Sequence, residues 1–168
     1  DVYKRQLLSG CNRAAEKNPR FYDAGVSREL AGHRKAQIKN LKYELSFNIP
    51  RQKEAAIEGD ITLRFDLASR QEVLIDFREE REKIKEVIAN GVPVDKVRFE
   101  NEHIILPASS TVEGANGIRI RFTAGNQSLN RNDEYLYTLL VPDRARTVFP
   151  CFEQPNLKAE FTCLLYTS

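Results

Sequence analysis

The sequence predicts a mainly β protein: an antiparallel two-sheet sandwich or saddle with a short N-terminal helix. Three observations carry that prediction. Apolar and polar residues alternate with a period of two over several short runs, as in strands with one buried and one wet face. Two dipeptides, Asn90-Gly91 and Asn101-Glu102, fall between such runs where tight hairpins belong. The runs follow one another closely, with turn residues between them and without the helical stretches that alternate with strands in parallel sheets.

Taken in order, residues 26–38 (VSRELAGHRKAQI) lack proline, are rich in helix formers and place Ser27 where an N-cap belongs, which predicts a short helix weakened by Gly32. His33 lies beside Arg34 and Lys35 and is expected on the exposed surface. From Ile38 the period becomes two. Leu41, Tyr43, Leu45, Phe47 and Ile49 alternate with polar residues, and Ile61, Leu63, Phe65 and Leu67 repeat the pattern. Val73 to Phe77 is a third apolar run. Residues 82–88 (EKIKEVI) also fit a helix face but precede Asn90-Gly91, so a strand is expected there. Val97 to Phe99 and His103 to Leu106 flank the second hairpin, and His103 is a strand or turn residue. Ile118, Ile120 and Phe122 alternate with Arg119 and Arg121, whose side chains are read as a solvated face and not as a phosphate clamp.

Residues 149–161 (FPCFEQPNLKAEF) fit neither a helix nor a central strand. Pro150 and Pro155 each remove a donor and restrict the preceding residue, so a shaped, partly buried loop is expected, leading into a strand from Leu157. Residues 38–161 are long enough for one core, and 168 residues of 41% hydrophobic and 30% charged content make one domain the default. The 26 Lys and Arg residues are spread among 24 Asp and Glu, which argues against a nucleic-acid groove or a polybasic membrane patch.

The chain ends are set apart from the domain. DVYKRQ (residues 1–6) and CLLYTS (residues 163–168) are read as translated cloning or adaptor sequence. Residues 7–11, LLSGC, resemble the lipobox of bacterial lipoproteins, in which the cysteine becomes the lipidated first residue of the mature protein. Cys11 is therefore the expected lipidation site. Polar NRAAEKNPR follows as a tether, and residues 7–25 form a linker. An exported lipoprotein, periplasmic or anchored at a bacterial membrane through lipid alone, is the localisation this implies. The apolar segment that normally precedes a lipobox is absent.

Catalytic machinery is not evident. No serine has a G-x-S-x-G context, neither His33 nor His103 sits in a nucleophile-and-base pattern, and no glycine-rich phosphate loop follows a strand. Cys151 and Cys163 offer no zinc-ligand spacing; Cys151 is read as a small buried hydrophobe, and a Cys151–Cys163 disulfide is left open. The acids Asp133, Glu134, Asp143 and Glu153 are candidates for a carboxylate pair whose separation sequence does not give. On chemistry alone this is an exported β-sandwich module that positions or binds something.

The run TVFPCFEQPNLKAEFT at residues 147–162 resembles the F-P-x-F-D-x-P-x-x-K-A-x-F signature that closes the N-terminal domain of the aminopeptidase N family of zinc metallopeptidases. Phe149, Pro150, Phe152, Pro155, Lys158, Ala159 and Phe161 match it, and Glu153 stands where the family usually has Asp. The order LKYELSFNIP, EGDITLRFDL, VLIDFRE, an Asn-Gly hairpin and ENEHIILP extends the resemblance over residues 26–162. It implies a saddle-shaped cap on a thermolysin-like catalytic domain, with Phe149, Pro150, Phe152, Glu153, Gln154 and Pro155 forming the loop between the two. The implied function is that of the N-terminal cap of a zinc-dependent aminopeptidase acting on peptides. Its zinc would be held by a downstream H-E-x-x-H and a later Glu, so this stretch would need no cofactor and would be inactive alone. A non-catalytic lipoprotein that binds peptide, glycan or a partner protein is the alternative.

One departure from the family concerns the substrate. Family members commonly place a Gln and an acid or second Gln upstream of the closing turn to hold the peptide's α-amine, and those places fall at Leu139 and Val141. Apolar side chains cannot accept from an ammonium. Tyr137 and Thr138 are the nearest polar substitutes, with Tyr137 equally readable as an anchored core aromatic.

Overall fold

The computed structural model describes residues 18–167. A 3-10 turn at Pro19–Tyr22 leads to helix α1 (Arg28–Gln37). Ser27 caps it as expected, its Oγ accepting from the Leu30 amide at 3.1 Å, and Glu29 lies in the first turn where the helix dipole favours an acid. The helix passes directly into strand β1 (Ile38–Ile49), followed by β2 (Glu58–Leu67), β3 (Val73–Asp76), β4 (Ile84–Ala89) and β5 (Val92–Pro93). The chain continues through β6 (Arg98–Glu100), β7 (His103–Leu106), β8 (Gly114–Thr123), β9 (Leu129–Arg131), β10 (Leu136–Thr138) and β11 (Glu160–Thr167).

Six strands form the main sheet in the order β11-β1-β2-β8-β4-β5, three form a second in the order β3-β7-β6, and β9 pairs with β10 alone. All pairings are antiparallel except β1 with β11. The period-two reading of β1, β2 and β8 holds because one face of the main sheet is dry. Tyr43, Ile61, Leu63, Ile118 and Ile120 point into the core, whereas Glu44, Arg64, Arg119 and Arg121 stand outside. The outer arginines pair with Glu44, Asp60 and Glu86 across neighbouring strands, each such exposed pair contributing about 0–1 kcal/mol.

Both predicted hairpins form. Asn90 and Gly91 have φ of 52° and 82°, and Asn101 and Glu102 have 47° and 69°, so each turn places both central residues in the left-handed region that matches strand twist. Over residues 82–88 the chain is a 3-10 turn at Arg81–Lys83 that enters β4, and not a strand throughout.

Strands β3 and β7 are buried on both faces. Val73, Ile75, Ile104 and Leu106 pack into the core shared with the main sheet, while Leu74 and Ile105 meet Leu30 of α1, with Phe21 and Tyr22 at the margin. The molecule therefore has three layers: main sheet, small sheet and helix. Alternation along β3 and β7 also turns Asp76 and its register partner His103 toward the helix side. Strand β11 runs through Thr167, so the residues set apart at 163–167 form the outer strand of the main sheet.

Candidate functional site

The stretch after residue 147 is a loop anchored on all sides. Cys151 exchanges both backbone hydrogen bonds with Asp76, at 2.8 and 3.0 Å, which fastens the loop to the end of β3. The Phe152 amide donates to Tyr43 Oη at 2.9 Å, and its ring packs edge-on against Phe65 at 5.6 Å. The Glu153 amide donates to Asp76 Oδ2 at 2.9 Å, and Gln154 Nε2 donates to Ala31 O in α1 at 2.9 Å. Phe149, Pro150, Phe152 and Gln154 are buried within this domain, Glu153 is half-buried and Pro155 is exposed. The strand begins at Glu160 and not at Leu157, because the Leu157 amide is tied to Gln154 O in a turn.

Below the loop lies a buried charge cluster that the sequence reading missed. Arg34, named from the sequence only as a charged neighbour of His33, is 2% exposed; its Nη1 and Nη2 meet Asp76 Oδ2 and Oδ1 at 2.8 and 2.7 Å, and Nη2 also donates to Leu74 O. His103 Nδ1 lies 2.8 Å from Asp76 Oδ1, off the line of an aligned hydrogen bond, and Nε2 faces Asp23 O at 2.9 Å. An Asp inside a run that is otherwise entirely apolar was the available signal, since a carboxylate there requires a buried partner. His33 is half-buried instead of exposed, bonded to Gln71 and 4.8 Å from the Phe21 ring.

Burial alone would raise the Asp76 carboxyl, but the Arg34 charge, the close approach of the His103 ring and the hydrogen bonds from Arg34 hold it below the ordinary carboxylate range. Burial pushes the Cys151 thiol well up, reinforced by Glu153 and Asp76, so it is an inert core thiol. Tyr43 is likewise raised by burial. Glu153 is raised by burial and by Asp143, against the pull of the Arg146 amide that it accepts at 2.8 Å.

Of the candidate acids, Asp133, Asp143 and Glu153 are engaged with basic or backbone partners, and Asp143 and Glu153 meet at Arg146. Asp143 holds the Arg146 guanidinium at 2.8 and 3.1 Å, Glu153 accepts from the Arg146 amide, and Asp133 reaches Lys53. Glu134 lies in a turn in which Asn132 Oδ1 accepts from the amides of residues 134 and 135.

Tyr137, Leu139 and Val141 lie apart from the buried cluster, on and after the β9–β10 hairpin. Tyr137 is not a core anchor: it is 45% exposed, sits 5.8 Å from the Tyr135 ring and lines an apolar groove of about 530 Å³ with Phe47, Leu136, Phe149, Phe161 and Leu165. Leu139 and Val141 are exposed outside that groove. Cys151 and Cys163 are both free, one buried and one exposed, so the disulfide left open does not form. Cys11 lies outside the described residues.

Among the described residues no group of three or more His, Cys, Asp or Glu converges where a metal ion could be held, and no helix is long and apolar enough to cross a membrane. These residues do not fit a zinc site, and no step through zinc is assigned to them.

Comparison with known proteins agrees with this architecture. The Peptidase M1 N-terminal domain family matches residues 39–167. An Aminopeptidase N from Streptomyces lividans is 33% identical over 150 residues, covering 81% of this chain and 17% of its own length. A Leucine aminopeptidase 2 from Candida glabrata is 25% identical, with 79% and 22% covered. The chain thus spans about a fifth of the length of these relatives. The crystal structure of an M1 zinc metallopeptidase from Deinococcus radiodurans shares the fold, with a TM-score of 0.61 and 18% identity over 76% of this chain and 32% of that one. Legionella pneumophila aminopeptidase A, solved with aspartic acid, superposes with a TM-score of 0.57 at 12% identity, over 76% of this chain and 17% of that one. From its strand order, its closing loop and these matches, the chain belongs to the Peptidase M1 N-terminal domain family, the β domain of the M1 aminopeptidases.

Proposed function

We propose that this domain is the N-terminal cap of a zinc-dependent aminopeptidase and contributes framework, not chemistry, to the removal of N-terminal residues from peptides. The observation that supports this reading is the closing loop: a family-matched stretch, rigidly held, that delivers the chain to an exposed strand beside an apolar groove. A contiguous apolar surface of this kind suits a permanent partner. The partner in this reading is a catalytic domain in the same polypeptide that carries the zinc ligands.

Tyr137, Leu139 and Val141 are then the side chains this cap turns toward the peptide. Leu139 and Val141 cannot accept hydrogen bonds from an α-ammonium group, so other groups hold the amine and the substrate preference differs from that of relatives with polar residues there. The export reading rests on LLSGC alone and adds lipidation at Cys11.

Reading the coding sequence on both sides tests the proposal, followed by expression of the longer chain. H-E-x-x-H with a later Glu, bound zinc and hydrolysis of aminoacyl anilides by the long chain are expected. A frame that closes soon after residue 168, or an active long chain without zinc ligands, overturns it and leaves a binding module. Incorporation of labelled palmitate that is lost in Cys11→Ser tests the anchor.

A further inference from the structure

We infer that the N-terminal segment, residues 18–38, is a built-in strap that sets the closing loop, and that Arg34 is the positioning residue through which it acts. The family match begins at residue 39, yet the loop that ends the matched domain is held from before that point. Two ties run from one face of α1 directly to the loop, and a third reaches it through Asp76 at the end of β3. Ala31 O accepts from Gln154 Nε2 at 2.9 Å, Arg34 grips Asp76, and Lys35 Nζ donates to Asn156 O at 2.9 Å. Positions 31, 34 and 35 are neighbours on a helix surface, so one rigid element holds the loop directly at Gln154 and Asn156 and indirectly through Asp76.

Arg34 carries the inference. Its guanidinium is bidentate on Asp76, bonded to Leu74 O and centred 5.2 Å from the Phe152 ring. Asp76 in turn receives the Glu153 amide and exchanges backbone bonds with Cys151. Arg34 therefore fixes a carboxylate that holds the Glu153 amide, the backbone of the same Asp76 holds Cys151, and the guanidinium itself faces the Phe152 ring between them. The strap reaches the other side as well. Gly25, at φ +81°, lies against the Arg146 guanidinium, whose own amide is held by Glu153, and Asp23 O faces His103.

Stability alone does not account for an ion pair in this place, since an apolar pair of similar volume is often as stable or more so. A planar fork on a carboxylate fixes direction in a way that an aliphatic contact does not. The inference concerns the geometry of this chain and stands whether or not the peptidase reading does.

Hydrogen–deuterium exchange on the full chain tests it, comparing wild type, Arg34→Lys, Arg34→Met and Val87→Ala. Val87 is a buried residue of β4, paired with Ile120 of β8 in the main sheet, and reports general loss of stability. In both Arg34 variants, exchange over residues 149–156 is expected to rise roughly tenfold or more relative to peptides of β2 and β8, whereas Val87→Ala moves loop and sheet together. Lysine keeps a charge but cannot form the fork, so Arg34→Lys decides the matter should Arg34→Met fail to fold. Loop protection equal to wild type in Arg34→Lys, or loop and sheet loosening in the proportion seen for Val87→Ala, overturns the inference.

Discussion

The carboxylate of Asp76 accepts from both terminal nitrogens of Arg34, at 2.8 and 2.7 Å, with both side chains withdrawn from solvent and the two residues 42 positions apart in sequence. Removing either partner strands the other. Asp76→Ala is expected to lower unfolding free energy by about 3–5 kcal/mol, and Arg34→Met/Asp76→Ala to recover part of that loss because no lone buried charge remains. Urea denaturation of the single and double variants measures both effects; a double variant as unstable as the sum of the singles contradicts the coupling.

The pH dependence has two opposing contributions. Asp76 is depressed in the folded state, so the stability it provides is complete above the unfolded carboxylate value of about 4 and is lost as pH falls through its lower folded value. Glu153 is raised by burial and by Asp143, so the folded state binds its proton more readily than the unfolded chain, and its contribution weakens as pH rises through the folded value. Glu153→Gln keeps an acceptor for the Arg146 amide and is expected to raise Tm at pH 7 while leaving it little changed at pH 4. Thermal melts at the two pH values read this directly, and a lower Tm at pH 7 would contradict it.

Gly59 stands opposite Phe122 across β2 and β8, and the Phe122 ring lies over the place a side chain at 59 would occupy. Phe122 is fully buried among Phe47 and Phe77, so it cannot swing out. Gly59→Ala is expected to cost about 1–3 kcal/mol by overpacking, and Phe122→Leu in the same chain to relieve part of that cost. Chemical denaturation of the pair decides it; additive losses would show that the two sites do not meet.

Strand β11 is exposed along its whole length, and Phe161, Leu164, Leu165 and Tyr166 are each more than half exposed. It also forms the outer edge of the main sheet. Such an edge recruits other chains. Concentration-dependent association in sedimentation velocity is expected for the chain, with Leu164→Lys/Leu165→Lys shifting it toward monomer. A wild-type chain that stays monomeric across the concentration series contradicts this.

Local rules wrote most of the fold plainly. β1, β2 and β8 were legible because one face of each is wet, and the hairpins because Asn-Gly and Asn-Glu tolerate positive φ. The family stretch at 147–162 was legible as a loop because of its prolines. Arg34 was not: beside Lys35 on a short helix it looks solvated, and what buries it is an acid on a strand that no local pattern connects to it. The period-two rule also fails for β3 and β7, whose second face is covered by the helix.

The parallel pairing of β1 with β11 has a consequence for how the chain is made. Of the described strands β1 leaves the ribosome first and β11 last, so the edge of β1 that β11 will cover stands open through the synthesis of the strands between them. Parallel contacts this distant in sequence form slowly, because a long loop must close before any of them is gained. The main sheet is thus completed only after translation has passed residue 167, and the nascent domain needs shelter at that edge until then.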